Sequence, residues 1–396
     1  MKKYSQFLKV YFLFIAIIAF PLFLNFLFIT NAHEHTPYKK IVKIQRGKNA
    51  IYGTALNQIT FAYKIELVRS VKPTLIALGS SRVLELREEF FEVPFVNCGG
   101  AMNNLEEGRL FLTELFRYHR PEIIILGLDF WWFSDQFTHR KTFDYHRNTG
   151  TDLTFGKLIK PYEFLISSKI ELRDYISILL FKNDRNHITN FNNLGLIAIK
   201  RSDGFRKDGS YLYANAITGF APKGQRITGF NDRLDSKRRF EFGADISQNR
   251  IAILNEILKL CMNYNVKPIL IIPPVTTFVY QRILSRPEKY GYVFKFQEYV
   301  KSLPFENYDY HDIRKAASCN CECIDGFHIG DVAYQKILLD ILKQNHDSVI
   351  AAFVNNNLLE RTVRQNEGKV MTIFPNDEGK FNYEETDFLE LGCRKN

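Results

Sequence analysis

The chain has 396 residues, 46% of them hydrophobic, enough for one large domain or two smaller ones with a real core, and its 35 Phe and 20 Tyr are a heavy aromatic load without low complexity. The formal net charge of +10 suits contact with an anionic surface, whether membrane lipid, acidic glycan or nucleic acid. No zinc-finger spacing, RNA-binding aromatic motif or long basic helix is present, so a nucleic-acid partner is not expected.

The first element is membrane-like. Met1-Lys2-Lys3 and Lys9 precede an apolar run from Val10 to Ile29, about the length that spans a bilayer. Basic residues on the N-terminal side place residues 1–9 in the cytoplasm and everything after the span outside. A cleaved signal peptide is the rival reading, with Thr30-Asn31-Ala32 as a passable cleavage site, but its apolar region is usually ~7–15 residues, shorter than this one. Pro21 and Asn25 weaken the span slightly, within what a membrane helix tolerates. The expectation is an uncleaved single-pass anchor over 10–30, with the rest of the chain on the periplasmic or extracellular side.

Residues 31–70 read as a polar, basic connector with an amphipathic helix near 55–71. An α/β pattern then starts. Strand 74–78 runs into Gly79-Ser80-Ser81-Arg82, and Phe95-Val96-Asn97 runs into Cys98-Gly99-Gly100. Leu105, Gly108, Leu112, Leu115 and Phe116 recur at helical spacing, and Pro121 punctuates the end. Ile123–Leu126, nearly all β-branched, reads as a strand buried on both faces, and leads into Gly127-Leu128-Asp129-Phe130-Trp131-Trp132-Phe133.

The pattern breaks from about 135 to 245, apart from a modest helix near 166–180. A segment this long inside a domain reads as an insertion or a cap over the site. Its basic clusters, His139-Arg140-Lys141 and Lys237-Arg238-Arg239, are solvated surface or a contact for an anionic partner. Regular structure returns with an apolar helix face at Ile251, Leu254, Ile257, Leu258 and Cys261. It continues with strand 269–272, closed by Pro273-Pro274, a helix near 294–302, and a helix from about 332 to 343. Strands alternating with helices predict an α/β fold with a mostly parallel sheet over 71–346. The extension 347–396 carries short strands at 349–354 and 370–374 and an acidic stretch around Glu384–Glu390.

The chemistry centres on Ser81. Serine needs a base to take its proton, and that base needs a third group to hold it. Asp325 and His328 are three residues apart, a spacing that sets a carboxylate beside the imidazole of its own turn. Strand ends on one edge of a parallel sheet converge, so these groups can meet Ser81. Acyl transfer also needs donors for the developing oxyanion, and Gly99-Gly100 offers backbone N–H groups. The six cysteines include a CxCxC run at 319–323 that does not match zinc spacing; one or two disulfides plus spare thiols are expected, with no metal and no cofactor. Trp131, Trp132 and Phe133, and Tyr211 and Tyr213, are candidates for stacking on sugar rings or for core packing.

Over roughly 70–345 these blocks resemble the SGNH/GDSL hydrolase superfamily. Gly79-Ser80-Ser81 stands for its Gly-Asp-Ser block, Val96-Asn97-Cys98-Gly99 for its Asn-x-Gly turn, Gly127-Leu128-Asp129 for its Gly-x-Asn-Asp block, and Asp325–His328 for its Asp-x-x-His block. The resemblance implies a flavodoxin-like SGNH sandwich, with Ser81, His328 and Asp325 as a triad and Ser81, Gly99 and Gly100 around the oxyanion. Asp129 departs from the pattern, because a carboxylate only accepts hydrogen bonds and cannot replace the family's Asn as a donor. Arg82, Asn97 and Asp129 are then candidates for holding substrate, and Asn103 or Asn104 for supplying the missing donor. The Gly-Ser-Ser-Arg form and the anchor are similar to the anchored SGNH-like proteins that act beside multi-pass O-acyltransferases on cell-surface polymers. That resemblance implies a serine acyltransferase or esterase working on acyl groups of a cell-envelope glycan, with a multi-pass membrane O-acyltransferase as partner. A non-catalytic, glycan-binding or accessory subunit is the alternative.

Overall fold

The computed structural model describes residues 2–57, 60–137, 152–181, 191–214, 233–234 and 239–374. The clusters His139-Arg140-Lys141 and Lys237-Arg238, and the acidic stretch at 384–390, lie outside them. The helices in chain order are α1 (Lys2–Asn31), α2 (Tyr38–Gly47), α3 (Thr60–Val71), α4 (Leu105–Leu115), α5 (Phe155–Ile166), α6 (Leu172–Leu179) and α7 (Leu196–Arg201). They continue with α8 (Gln248–Asn263), α9 (Thr277–Leu284), α10 (Pro287–Ser302), α11 (Asp331–Gln344) and α12 (Asn356–Asn366). The strands are β1 (Ala50–Tyr52), β2 (Leu75–Gly79), β3 (Phe95–Gly99), β4 (Ile123–Gly127), β5 (Asn192–Leu194), β6 (Gly204–Phe205), β7 (Tyr211–Leu212), β8 (Lys267–Ile272) and β9 (Asn307–Asp309).

The protein is α/β. Its main sheet has five strands in the order β3-β2-β4-β8-β9, and every pairing among them is parallel. Successive side chains on a strand point to opposite faces, and both faces here are covered. Ile76, Leu78, Val96, Ile124, Leu126, Leu270 and Ile272 pack on one side with α3, α4, α8 and α10. Leu75, Ala77, Phe95, Ile123, Ile125, Ile269 and Ile271 pack on the other with α11 and α12. That double burial is why these strands read as continuous apolar runs. Each fully buried Ile or Leu contributes about 1.5–3 kcal/mol.

Counted along the sheet, the order is 2-1-3-4-5, so the chain reverses direction between β2 and β4. Ligands in such sheets bind at the carboxyl ends of the strands beside this switch point. The Ser81 turn follows β2 there.

Several elements differ from the sequence expectation. Residues 38–71 are no connector: Tyr38, Ile41, Val42, Phe61, Ile65 and Leu67 belong to the main core. The short strand β9 extends the sheet beyond the expected four. In the C-terminal extension the two strands are absent; α12 stands between buried but irregular segments that include Val354, Val370 and Phe374. The described parts of the inserted segment pack in two places. α5 and α6 pack on α1, while β5, β6 and β7 join β1 in a second sheet of order β5-β1-β6-β7.

This second sheet is tied to the first by polar bonds. The Asn97 N–H donates to Asp208 O at 2.8 Å, and Tyr211 N–H to Leu84 O at 3.1 Å. Lys64, fully buried on α3, donates to Asn97 O at 2.8 Å and to Gly209 O. Burial pushes its amine down to about 7, and a neutral amine has two N–H groups for these two carbonyls.

α1 is long and apolar enough to cross a membrane. It is joined firmly to the domain at its end. Glu34, buried, accepts from the N–H groups of Ala55, Leu56 and Leu196 at 3.0, 2.7 and 2.7 Å.

Lys64→Met should destabilise the protein by about 1–3 kcal/mol, the cost of leaving buried carbonyls unpaired. The sign of the pH effect follows from the lowered amine. Between about 7 and the unfolded value of 10.5 the unfolded chain holds the proton and the folded chain does not, so Lys64 adds stability as pH rises through that window. Denaturation at pH 7 and pH 9.5 should therefore show a larger gain with pH for wild type than for Lys64→Met; equal pH dependence would refute the assignment.

Candidate functional site

Three strand ends build the floor of the site. Gly79 and Gly99 are paired across β2 and β3, and Gly127 ends β4. The short 3-10 turn Ser81–Val83 lies directly on them, with Val83 as its plug. A Cβ on Gly127 would meet Val83 Cγ1 at 2.3 Å, and one on Gly79 would meet the Val83 methyls at 3.0 and 3.1 Å. Only glycine lets the turn sit this low. Ser80 caps the turn by accepting from the Arg82 N–H at 3.2 Å, which leaves the next hydroxyl, Ser81, facing outward.

The other half comes from a tight loop ahead of α11. Asp325 Oδ1 accepts from the N–H groups of Phe327 and His328 at 2.9 and 2.8 Å, the self-bonding turn that Asp favours. Its Oδ2 bonds His328 Nδ1 at 2.7 Å, and His328 Nε2 lies 2.8 Å from Ser81 Oγ. The hydrogen-bonded chain Ser81–His328–Asp325 thus joins residues 247 positions apart. With Nδ1 donating to the carboxylate, Nε2 is the acceptor that faces the serine hydroxyl. Burial alone would raise the Asp325 carboxyl, but the imidazole and the two amides outweigh it and hold it below the usual range. It stays ionised at neutral pH, as the orienting partner of a base must.

Arg82 fastens the two halves together. It is buried, and it donates from Nε to Phe327 O at 3.0 Å, from Nη1 to Asp129 Oδ1 at 3.0 Å, and from Nη2 to the carbonyls of Pro273 and Pro274 at 2.6 Å each. Its own carbonyl accepts from the Tyr334 hydroxyl at 2.5 Å. Trp131 stacks on the guanidinium at 5.3 Å. One side chain therefore links the ends of β2, β4 and β8 to the His328 loop.

These contacts correct several expectations. Arg82, Asn97 and Asp129 are buried; the Arg82 and Asn97 side chains are bonded within the fold, and Asp129 Oδ1 pairs with Arg82. Asn97 donates to Val83 O and Leu86 O at 2.7 Å each. Burial raises the Asp129 carboxyl, and Arg82 and Ser80 beside it pull the other way. The Gly99 N–H donates to Asn97 Oδ1 at 2.7 Å and the Gly100 N–H to Gly79 O at 2.9 Å, so both amides expected at the oxyanion are engaged within the fold. Asn104 caps α4, and Asn103 bonds Gly100 O and Glu107. Among the described residues, the Ser81 N–H has no acceptor. Trp131, Trp132 and Phe133 are core residues, not a sugar platform.

The rim holds Arg233, which sequence reasoning does not single out, with Arg239 of the basic cluster and Tyr213, a stacking candidate. Arg233 and Arg239 each lie over the Phe327 ring, at 5.7 and 5.8 Å, and Tyr213 is 6.2 Å from the His328 ring. Arg239 also lies 5.8 Å from Trp131. Nothing local in the sequence marks Arg233, and Arg239 stands out only as part of a basic cluster; both come to the site only in the folded state. The glycines that close three apolar runs were a legible signal for a low, shared floor.

No protein-family model matches this chain, and no curated protein matches it.

Arg82→Met should destabilise the fold by about 3–5 kcal/mol, since it strands the Asp129 carboxylate in the interior. Adding Asp129→Leu should recover part of that loss. A double variant as unstable as the sum of the two single variants would show that the pair is not coupled.

Proposed function

We propose that this protein is a membrane-anchored serine acyltransferase or esterase, with an SGNH-type domain, acting on acyl groups of a cell-envelope polysaccharide outside the cytoplasm. The observation that carries the reading is the Ser81–His328–Asp325 chain at 2.8 and 2.7 Å on the switch-point edge of the sheet. In this reading His328 takes the Ser81 proton as Oγ attacks an ester carbonyl, then returns it to the leaving alcohol. The acyl-enzyme is resolved by water in hydrolysis, or by a sugar hydroxyl in transfer. Asp325 holds the imidazole in the required tautomer. The Ser81 N–H, not Gly99 or Gly100, stands nearest in the chain to the developing oxyanion. Arg233 and Arg239 give the rim a positive potential suited to an anionic polymer.

Two further features support the setting. α1 carries Lys2, Lys3 and Lys9 ahead of its apolar run, which favours an outward-facing domain. Cys321 is disulfide-bonded, which fits an oxidising compartment, while Cys98, Cys261, Cys319 and Cys323 are free. A transferase would need a multi-pass acyltransferase as partner, since one helix cannot carry acyl groups across a bilayer.

A second reading, a non-catalytic glycan-binding or accessory subunit, is favoured by the engaged Gly99 and Gly100 amides, which leave few oxyanion donors.

A fluorophosphonate probe should label wild type at Ser81 and fail to label Ser81→Ala, with the labelled peptide identified by mass spectrometry. Asp325→Asn should slow labelling by ~10³–10⁴-fold, through loss of the productive tautomer. Labelling that survives in Ser81→Ala would remove the nucleophile. Wild type that stays unlabelled, yet is retained on polysaccharide equally with His328→Ala, would establish the accessory reading.

A further inference from the structure

The end of α1 does not emerge from the fold where its apolar run ends. Val10 to Ile29 is 20 residues by the sequence, about 30 Å at the helical rise and just the thickness of a hydrocarbon core. With Lys9 at the near boundary, the far boundary falls at Ile29. Yet α5 and α6 grip α1 inside that limit. The Tyr162 hydroxyl donates to Pro21 O at 2.8 Å, Asn25 Nδ2 donates to Leu158 O at 2.7 Å, and the Tyr175 hydroxyl donates to Asn25 Oδ1 at 2.7 Å. Phe28 stacks on Tyr175 at 4.6 Å. Asn25 and Pro21 lie one and two helical turns short of Ile29, roughly 6 and 12 Å in depth. Lifting α5 and α6 clear of the bilayer would leave only Val10 to Phe20 to span it, about 16 Å, far too short.

The surface of the pair agrees with that depth. α6 is apolar on two faces. Tyr175 and Ile178 are buried with Phe28 and Ile29 of α1. Leu172, Ile176 and Leu180, spaced by four residues, are instead 64, 47 and 57% exposed, and Ile166 at the end of α5 is 86% exposed. Phe155 and Phe181 extend the exposed patch. An exposed apolar patch of this kind marks an interaction surface. Lys157, Lys160, Lys169 and Arg173 sit among these residues, and long basic chains can reach up to headgroups from such a position.

We propose that α5 and α6 form a re-entrant pair that dips into the leaflet on the domain's side, beside α1, with Leu172, Ile176, Leu180, Ile166, Phe155 and Phe181 against lipid acyl chains. The proposal rests on the reading of α1 as a membrane span. It gives Pro21 and Asn25, weak points of a lone span, a role as the polar contacts that hold the pair at depth. It also seats the folded domain against the bilayer surface, so the site works at a set orientation to the membrane.

Depth-dependent quenching in full-length protein tests this, using phosphatidylcholine vesicles whose lipids carry bromine at shallow or deep acyl positions. Trp131 and Trp132 are buried in the domain core and supply a constant background. Tryptophan is placed singly by Ile166→Trp, Leu172→Trp and Ile176→Trp, with Phe14→Trp as the anchor control and Leu110→Trp, exposed on α4, as the solvent control. The added emission at 166, 172 and 176 should fall by about half with shallow bromine, as for an interfacial helix, while Leu110→Trp is unaffected. If Phe14→Trp is quenched and the three α5–α6 positions behave like Leu110→Trp, the proposal is overturned with the anchor intact. Shielding of those positions only after a multi-pass membrane protein is co-reconstituted would overturn it in favour of a protein partner. An unquenched Phe14→Trp would remove the span itself, and the proposal with it.

Discussion

The Arg82 guanidinium is the interaction on which the site depends. A cation buried this completely is costly unless every donor finds an acceptor. Here the acceptors are Asp129, the Phe327 carbonyl and the two proline carbonyls after β8. They belong to three loops on the same edge of the sheet. The charge therefore has one low-energy arrangement, and that arrangement sets the spacing between the Ser81 turn and the His328 loop. A hydrophobic residue at this position could fill the volume, but it could not fix the relative height of four loops.

The same logic explains why the expected oxyanion donors are engaged elsewhere. Asn97 lies inside the turn and uses all of its capacity on Val83, Leu86 and Gly99. It shapes the 3-10 turn from below, together with the three glycines under Val83. The floor of the site is thus a packed, hydrogen-bonded layer, and the groups above it are Ser81, His328 and the arginines of the rim. Lys64 extends this layer sideways to the second sheet, so the turn between β6 and β7 is part of the frame.

The anchor end of the molecule is organised in the same way. Glu34 gathers three backbone N–H groups at the exit of α1, and α5 and α6 close over the last turns of the helix. No flexible tether separates α1 from the domain among the described residues. The apolar helix and the α/β core therefore form one packed body, and any membrane contact of the first is felt as an orientation of the second.

Much of this was legible in the chain. Strands β2, β3, β4 and β8 are uninterrupted apolar runs because both sheet faces are covered, and burial on both sides leaves a one-dimensional signature. The Asp325–His328 pair was legible because its geometry is local to one turn, and the glycines closing three strands marked the edge where the turn sits. Other features had no such signature. β9 has only three residues and borrows its identity from β8. Residues 38–71 look polar because α2 is basic and α3 carries the buried Lys64, yet they complete the core. The partners of Arg82 lie 47 to 245 positions away, and those of Asn25 more than 130. Local composition and periodicity determined the elements and the reactive residue types. Only the tertiary structure decided which buried charges and amides satisfied one another, because desolvation makes each of them choose a partner that no neighbour in sequence supplies.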